Sequence, residues 1–168
     1  MNKNNYYFVE GYCEKTLIDA LKKNPSLLVA GKVNVFNVVQ NPISISFLLG
    51  IKENSRIIFV FDTDIDSNTS ILKANIESVK KHCKKAEIIT IPQINNLEDE
   101  LMRSTKVKKI TDITKSKSIS DFKRDFCGLT NCRNSLEKHN FDIKKLWNKK
   151  PKNNFSFVEQ LSHKIKLI

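Results

Sequence analysis

The sequence predicts an α/β fold: a mainly parallel four-stranded sheet flanked by helices, followed by a basic, mostly helical C-terminal extension. Three observations support this prediction. Short apolar runs alternate with segments of helical periodicity over residues 1–102, an order typical of a parallel sheet. The run RIIFVF is apolar on both faces, as expected of a central strand covered by helices. Beyond Pro92 the alternation stops and lysine becomes frequent.

The strands are predicted from short apolar runs that end at turn-forming residues. The first run, YYFVE, is broken by Gly11, and the fourth, EIITI, is closed by Pro92. The second, VNVFNVV, alternates as a strand does. The four predicted strands cover 6–10, 33–39, 56–61 and 87–91.

Three helices are predicted between these strands. The first places Leu17, Ile18 and Leu21 on one face. The second is short and ends at Gly50, and the third begins near Asn68 or Thr69, both good N-cap residues. The predicted helices cover 13–23, 43–50 and 68–85.

The segment 96–104 is predicted to form an acidic helical turn, and the extension 103–168 to form short helices. Independent folding of so basic a segment is disfavoured, because a small chain buries little apolar surface. We therefore expect the extension to pack on the sheet domain, where it would cover its own large apolar side chains. These are Phe122, Phe126, Leu136, Phe141, Leu146 and Trp147.

Length and composition indicate one compact domain with a modest extension. The chain has 168 residues, of which 40% are hydrophobic. No apolar run approaches the ~20 residues that a membrane span needs, and the start lacks the layout of a signal peptide. A cytoplasmic protein without a membrane partner is therefore expected.

The four cysteines are not arranged in CxxC pairs. Zinc binding by Cys127, Cys132 and His139 is the alternative, but the spacing of these residues fits no common zinc pattern. Ordinary reduced cysteines are the expectation for a cytoplasmic chain.

The net charge of +11 is unevenly distributed. Residues 1–102 contain 12 Lys/Arg and 12 Asp/Glu, whereas 103–168 contain 17 Lys/Arg and 6 Asp/Glu and so carry the whole excess. A basic surface of this kind binds polyanions such as RNA or DNA, and a solvated, solubilising face is the alternative. The candidate nucleic-acid-binding residues are Lys106, Lys108, Lys109, Lys115 and Lys117.

Acidic residues follow two of the predicted strands. Glu10 ends the first strand and Glu14 lies one helical turn on, whereas Asp62, Asp64 and Asp66 follow the third. The ends of parallel strands meet at one edge, and alternate residues point the same way, so Asp62 and Asp64 can face Glu10. Carboxylates that lie close together repel one another unless a cation compensates their charge, and Mg²⁺ is a cation that prefers oxygen ligands. The alternative is that these aspartates only form turns and helix caps.

Two of these segments carry a resemblance to a known family. FVEGYCEK resembles the glutamate motif of Toprim domains, and IIFVFDTDID resembles their Asp-x-Asp motif, with similar spacing and βα order between them. The resemblance covers about residues 6–91. It implies a Toprim-like, Rossmann-like fold that binds Mg²⁺ or Mn²⁺ and, in catalytic members, acts on phosphodiester bonds.

The resemblance also implies roles for individual residues. Glu10 matches the glutamate that binds metal or transfers a proton, and Asp62 and Asp64 match the metal-binding pair. The spacing of Glu10 and Glu14 is similar to that of OLD-type nucleases, where the second glutamate joins the metal site; an exposed acid in the first helical turn is the alternative. Asp66 completes the acidic run as a further metal candidate.

A further acid is expected after the fourth strand by the same resemblance. Glu98 and Glu100 are the candidates, with Glu98 preferred, and a solvated acidic helix is the alternative. The small size of the chain favours a nuclease over a topoisomerase or replicative primase.

The function expected from these features is Mg²⁺- or Mn²⁺-dependent cleavage of RNA or DNA, in RNA processing or phage defence. Glu10, Asp62 and Asp64 would be catalytic, and the extension would hold the backbone. Two alternatives remain: a non-catalytic or partner-activated nucleic-acid-binding module, and a phosphoacceptor receiver-like domain. A protein partner and a homodimer both stay open.

Overall fold

The computed structural model describes residues 3–64 and 69–167. Its centre is a four-stranded, all-parallel sheet with the strand order β2-β1-β3-β4. This arrangement confirms the predicted α/β fold class. The strands are β1 (Asn5–Val9), β2 (Lys32–Val35), β3 (Arg56–Asp62) and β4 (Glu87–Gln93).

Helices cover both faces of the sheet. Alternate residues of β3 face opposite sides, so that Ile58 and Val60 join one buried cluster, whereas Ile57 and Phe59 join the other. Apolar residues of α1 and α4 pack into the first cluster, and those of α2 and α3 into the second. These helices are α1 (Tyr12–Leu21), α2 (Ile45–Leu49), α3 (Ser70–His82) and α4 (Leu97–Ser104).

The helices in the described ranges are short. Even α3, with 13 residues, falls short of the ~20 residues of a membrane-spanning helix. Within those ranges, no helix combines the length and apolar character that crossing a bilayer requires.

The neighbouring strands β1 and β3 form the point where the chain direction across the sheet reverses. The helix α1 carries the chain from β1 to β2 on one side, and α3 carries it from β3 to β4 on the other. Val9 at the end of β1 lies beside Val60, and Asp62 at the end of β3 lies beside Gln93. In parallel α/β sheets, ligands bind in the crevice that opens at such a point.

Two strand ends differ from the sequence prediction by two residues or more, and the other strand limits agree to within one residue. The second strand ends at Val35, because the Asn37 side chain then accepts hydrogen bonds from the amides of Val39 and Gln40 and forms a turn. The fourth strand continues through Pro92 to Gln93. Proline is tolerated there because β4 is the edge strand.

The extension is less helical than predicted. It contains α5 (Ile119–Cys127), α6 (Cys132–Glu137) and three 3₁₀ turns, Ile110–Ile113, Asn153–Phe155 and Ser162–Lys164. Part of its C-terminal segment lies beside the sheet and forms hydrogen bonds with β4 instead of forming an α-helix. The Leu161 amide donates to the Thr90 carbonyl, and the Gln160 side chain donates to the Pro92 carbonyl. Hydrogen bonding to the β4 edge thus replaces helical hydrogen bonding.

The extension also completes the core on the α1 face. Its apolar side chains lie in the same buried cluster as Tyr7 and Leu17, with Phe141 partly buried at the margin. Of the six large apolar residues of the extension that we expected to be covered, five are buried here. These five are Phe122, Phe126, Leu136, Leu146 and Trp147.

The prediction that all cysteines are reduced is contradicted at one pair. Cys13 at the start of α1 and Cys127 at the end of α5 form a disulfide, whereas Cys83 and Cys132 are free. The partners are 114 residues apart in the sequence. Their proximity arises only from the packing of α5 against α1, which spacing alone does not reveal.

Candidate active site

The candidate site lies at the carboxyl ends of β1 and β3. Glu10 is the first residue after β1, and Asp62 is the last residue of β3. The backbone amide of Asp62 donates a hydrogen bond of 3.2 Å to Oε2 of Glu10. Two acids that are 52 residues apart in sequence therefore meet at the predicted edge of the sheet.

Glu14 turns inward from the first turn of α1. Its side chain is only 6% exposed, so the alternative of a solvent-exposed first-turn acid is wrong. Oε2 accepts a hydrogen bond of 3.0 Å from the Gly11 amide, and Oε1 accepts one of 3.4 Å from Nε2 of Gln93. The first of these hydrogen bonds caps the helix and holds the carboxylate beside the strand ends.

Gln93 is a site residue that the sequence analysis missed. It is fully buried at the end of β4, and its Nε2 lies 2.5 Å from Oδ1 of Asp62. Its Oε1 accepts a hydrogen bond of 3.1 Å from Nε1 of Trp147 in the extension. Both ends of the amide are therefore fixed, and the amide in turn fixes the Asp62 carboxylate. The available signal was its position at the end of a strand, at the same edge as the acids.

Glu98 and Lys123 close the site from the extension side. Glu98 lies in the first turn of α4, and Nζ of Lys123 in α5 is 3.1 Å from its Oε1. The Glu98 side chain is 17% exposed, so the alternative of a fully solvated acid does not hold for it. Lys123 was also missed, because nothing in the sequence distinguishes it from the other lysines of the extension.

A cavity of about 320 Å³ joins these groups. Among the described residues, four carboxylates and one ammonium contribute to its wall, with Tyr12 and the two disulfide cysteines beside them. The charged residues are Glu10, Glu14, Asp62, Glu98 and Lys123.

The proton affinities of the acids reflect burial and mutual repulsion. Burial, followed by the charges of Glu14 and Glu10, raises the pKa of Asp62 to about 8. Burial is also the largest cause of the raised pKa of Glu10 and of Glu14, and each carries a further contribution from neighbouring acids. The hydrogen bond and charge of Glu98 raise the pKa of Lys123, which keeps this ammonium protonated. One ammonium beside four acids leaves the cavity receptive to a cation.

The donor atoms suit a hard divalent ion. All four acids offer carboxylate oxygens, the ligands that Mg²⁺ and Mn²⁺ prefer. In the ranges 3–64 and 69–167 no three His, Cys, Asp or Glu side chains are already grouped as a metal site. Mg²⁺ commonly needs only one or two carboxylates, with water and substrate phosphate as its other ligands, so this donor set fits.

The remaining predicted acids are placed differently. Asp64 is exposed just beyond β3 and does not line the cavity. Asp66 lies outside the described residues. Glu100 is fully buried and points into the core, where it accepts hydrogen bonds from the amides of Ile94 and Trp147 and pairs with Arg103. Between the two candidates after β4, the cavity therefore contains Glu98.

The predicted nucleic-acid-binding lysines are all exposed. Within the described ranges, none of the five ammonium groups lies in an ion pair with a carboxylate. They are therefore free to meet a polyanion, and their role stays a prediction. The five are Lys106, Lys108, Lys109, Lys115 and Lys117.

Comparisons with known proteins add no relatives. Neither the family models, nor the curated proteins, nor the solved structures match this chain. The Toprim resemblance therefore stays a prediction from two short motifs. What the structure adds is the geometry around Glu10 and Asp62.

Proposed function

We propose that this protein is a Mg²⁺- or Mn²⁺-dependent nuclease that hydrolyses phosphodiester bonds of RNA or DNA in the cytoplasm. One observation carries the proposal. Of the described residues, four acids and one ammonium line a cavity at the ends of β1 and β3, where the chain reverses the direction in which it crosses the sheet. A cation would offset the repulsion between the acids, and a phosphodiester would supply further oxygen ligands to that cation.

Glu10, Asp62, Glu14 and Glu98 are the residues that would hold the metal. When bound, a divalent ion activates water and neutralises charge on the phosphate. Asp62 is the best-positioned ligand, since its carboxylate is fixed by Gln93. A fixed ligand requires little reorganisation during the reaction. Asp64 and Asp66 are secondary candidates on the segment that follows.

The chain's own groups can also handle protons and charge. If Glu10 is not itself a metal ligand, its raised pKa makes its carboxylate a better proton acceptor for a water molecule in the cavity. Lys123 can leave Glu98 for a phosphate oxygen, because its side chain is 62% exposed and the ion pair with Glu98 is partly solvated. Trp147 and Gln93 are both fully buried, so the hydrogen bond between them is shielded from water.

RNA processing or defence against phage is the biological role that we propose from the Toprim resemblance. The exposed lysines of the extension would hold the backbone and contribute affinity without sequence choice.

A cleavage assay tests the proposal. The protein is incubated with single- and double-stranded DNA, tRNA and ribosomal RNA in Mg²⁺, Mn²⁺ or EDTA. Cleavage that needs metal and is lost in Glu10→Gln and Asp62→Asn is the expected result. Glu53→Gln serves as the control, since Glu53 is an exposed acid paired with Lys85 away from the cavity. Absence of metal-dependent cleavage on every substrate contradicts the proposal.

A non-catalytic or partner-activated module is the second candidate. The exposed lysines of the extension favour it, since they would bind a polyanion whether or not the acidic site is active. It predicts that nucleic acid binds equally well in EDTA and in Mg²⁺, and that Glu10→Gln leaves the dissociation constant unchanged. Titration of a labelled oligonucleotide in both buffers separates the two candidates.

A further inference from the structure

A second cavity adjoins the acidic one. It measures about 310 Å³, and Glu98 and Lys123 belong to the walls of both cavities. Its wall also contains the apolar side chains of Met102, Ile110 and Ile119, together with the polar Asn96 and the acidic Asp99. The two cavities are adjacent, and the Glu98–Lys123 ion pair lies between them; we call the pair of cavities the cleft, with an acidic end and an apolar end.

Large apolar side chains are left in solvent at both ends of this cleft. Tyr12 is 68% exposed at the wall of the acidic cavity, next to Glu10 and Gly11. Ile119 is 61% exposed at the wall of the apolar cavity. Exposure of a single apolar residue is ordinary, but here the two mark opposite ends of one cleft that also contains the acids.

Unpaired lysines border the apolar end. Lys109 directly precedes Ile110, and Lys117 lies two residues before Ile119. Both lysines are exposed, and in the described ranges neither is in an ion pair. An occupant that combines apolar groups with negative charge would meet both the exposed apolar side chains and these neighbouring lysines.

An unpaired nucleic-acid strand has both properties. Its bases offer π-faces that stack on aromatic side chains, and its phosphates pair with lysines. In a duplex the bases are stacked inside the helix and cannot enter such a cleft without being unpaired.

We propose that the cleft binds single-stranded nucleic acid, with one base on Tyr12, a neighbouring base in the apolar cavity beside Ile119, and the intervening phosphate at the acids. This rests on the proposed function, because it assigns that phosphate to the acidic site. Opening of the Glu98–Lys123 pair would join the two cavities and direct the Lys123 ammonium towards the bound phosphate.

Binding measurements on a protein that does not cleave test this proposal. Asp62→Asn in Mg²⁺ serves as the background, and fluorescence anisotropy follows 5′-labelled RNA and DNA strands of about 12 nucleotides and the matching duplexes. Tyr12→Ala is expected to weaken single-strand binding roughly tenfold, and Ile119→Ser several-fold. Tyr12→Phe restores affinity, since stacking needs only the ring.

The control is Leu49→Ala, which removes an equally exposed apolar side chain from α2 on the other face of the sheet. It is expected to leave every dissociation constant unchanged. Duplex binding should respond little to Tyr12→Ala. Equal loss for single strands and duplexes, or no loss for either, overturns the proposal. So does failure of all labelled strands to bind, which would assign the cleft to a protein partner.

The assay also separates this inference from the nuclease proposal. Metal-dependent cleavage by a protein whose Tyr12→Ala variant binds single strands normally retains the nuclease and removes the single-strand cleft. Single-strand binding that depends on Tyr12, without cleavage in any metal, retains the cleft and removes the nuclease.

Discussion

Gln93 illustrates how one neutral residue can organise an acidic site. Its amide nitrogen donates to Asp62 and Glu14, and its amide oxygen accepts from Trp147. Buried polar groups are stable only when their hydrogen bonds are made, so the amide has one orientation. That orientation holds Asp62 beside the cavity and links it to the core of the extension.

The raised pKa of Asp62 gives a first prediction. A folded pKa of about 8 exceeds the ordinary value of about 3.9. The folded state thus binds more protons than the unfolded state between about pH 4 and pH 8, and stability falls as the pH rises through that window. We expect Asp62→Asn to raise the free energy of unfolding at pH 7.5 by about 1–3 kcal/mol, measured by urea denaturation in EDTA.

The pH profile and the metal response check the cause of this effect. The gain of Asp62→Asn should shrink towards pH 4, and Mg²⁺ should stabilise the wild-type protein more than the variant. A gain of the same size at pH 4 and pH 7.5 would show that the Asp62 charge is not its source.

Glu98 and Glu100 give a second prediction, because the same substitution has different consequences two residues apart on α4. Glu100→Gln leaves Arg103 without its carboxylate and places an amide N–H against a backbone donor. Breaking such a buried pair costs about 3–5 kcal/mol.

Glu98→Gln is the matched control. It removes one partly solvated ion pair with Lys123, which is worth about 0–1 kcal/mol. Urea denaturation of both variants should therefore show a large loss of stability for Glu100→Gln and little for Glu98→Gln. Similar losses would contradict the placement of Glu98 at the cavity and Glu100 in the core.

At the scale of elements, α1 and α5 pack against each other and both contribute to the wall of the site. Helix α1 begins directly after β1 and brings Glu14 inward, whereas α5 brings Lys123 from the extension. The Cys13–Cys127 disulfide ties the start of α1 to the end of α5. The relative position of an acid and the ammonium that faces it thus depends on one covalent link and on the packing beneath it.

The disulfide gives the third prediction. Reduction is expected to lower the free energy of unfolding by about 2–4 kcal/mol, because a cross-link over a long loop restricts the unfolded chain. Thermal denaturation with and without dithiothreitol measures the effect. The Cys13→Ser/Cys127→Ser double variant should melt at one temperature in both conditions.

Thiol labelling provides an independent check. The unreduced, denatured protein should react at Cys83 and Cys132 only, since these are its free cysteines. Labelling of all four cysteines would contradict the disulfide.

At the scale of the whole molecule, the extension is part of the fold and of the site. It buries Phe122, Phe126 and Trp147 on the α1 face and runs along the edge of β4. It also supplies Lys123 and the five exposed lysines that are predicted to bind nucleic acid. Charge and core packing are therefore combined in one segment.

Truncation gives the fourth prediction. A chain that ends at residue 102 would expose the α1 face of the sheet, and we expect it to lose fixed tertiary structure. Near-UV circular dichroism and the dispersion of amide resonances measure this loss. A well-dispersed spectrum from the truncated chain would show that residues 1–102 fold alone.

Substitution of the exposed lysines provides the contrasting variant. Lys106, Lys108 and Lys109 replaced together by Ala should leave folding unchanged and reduce the salt dependence of nucleic-acid binding, because fewer counterions are released.

The sequence alone determined the succession of strands and helices along the chain. Apolar runs and helical periodicity are local properties, and they were enough to place Glu10 and Asp62 at the same edge of a parallel sheet. The preference for Glu98 over Glu100 came from the Toprim resemblance, and only the structure shows that β1 and β3 are neighbours. The strand ends at Val35 and Gln93 could not be predicted in this way. The turn formed by the Asn37 side chain ends β2 at Val35, and the edge position of β4 allows that strand to continue to Gln93.

Only the tertiary structure decided the rest of the site. Four contacts join residues from separate elements: Gln93 with Glu14, Gln93 with Asp62, Lys123 with Glu98, and Cys13 with Cys127. Nothing in the local sequence distinguishes Lys123 from the other lysines of the extension. Its role arises because burial of the apolar face of α5 places that helix beside α1, and with it the ammonium beside the acids.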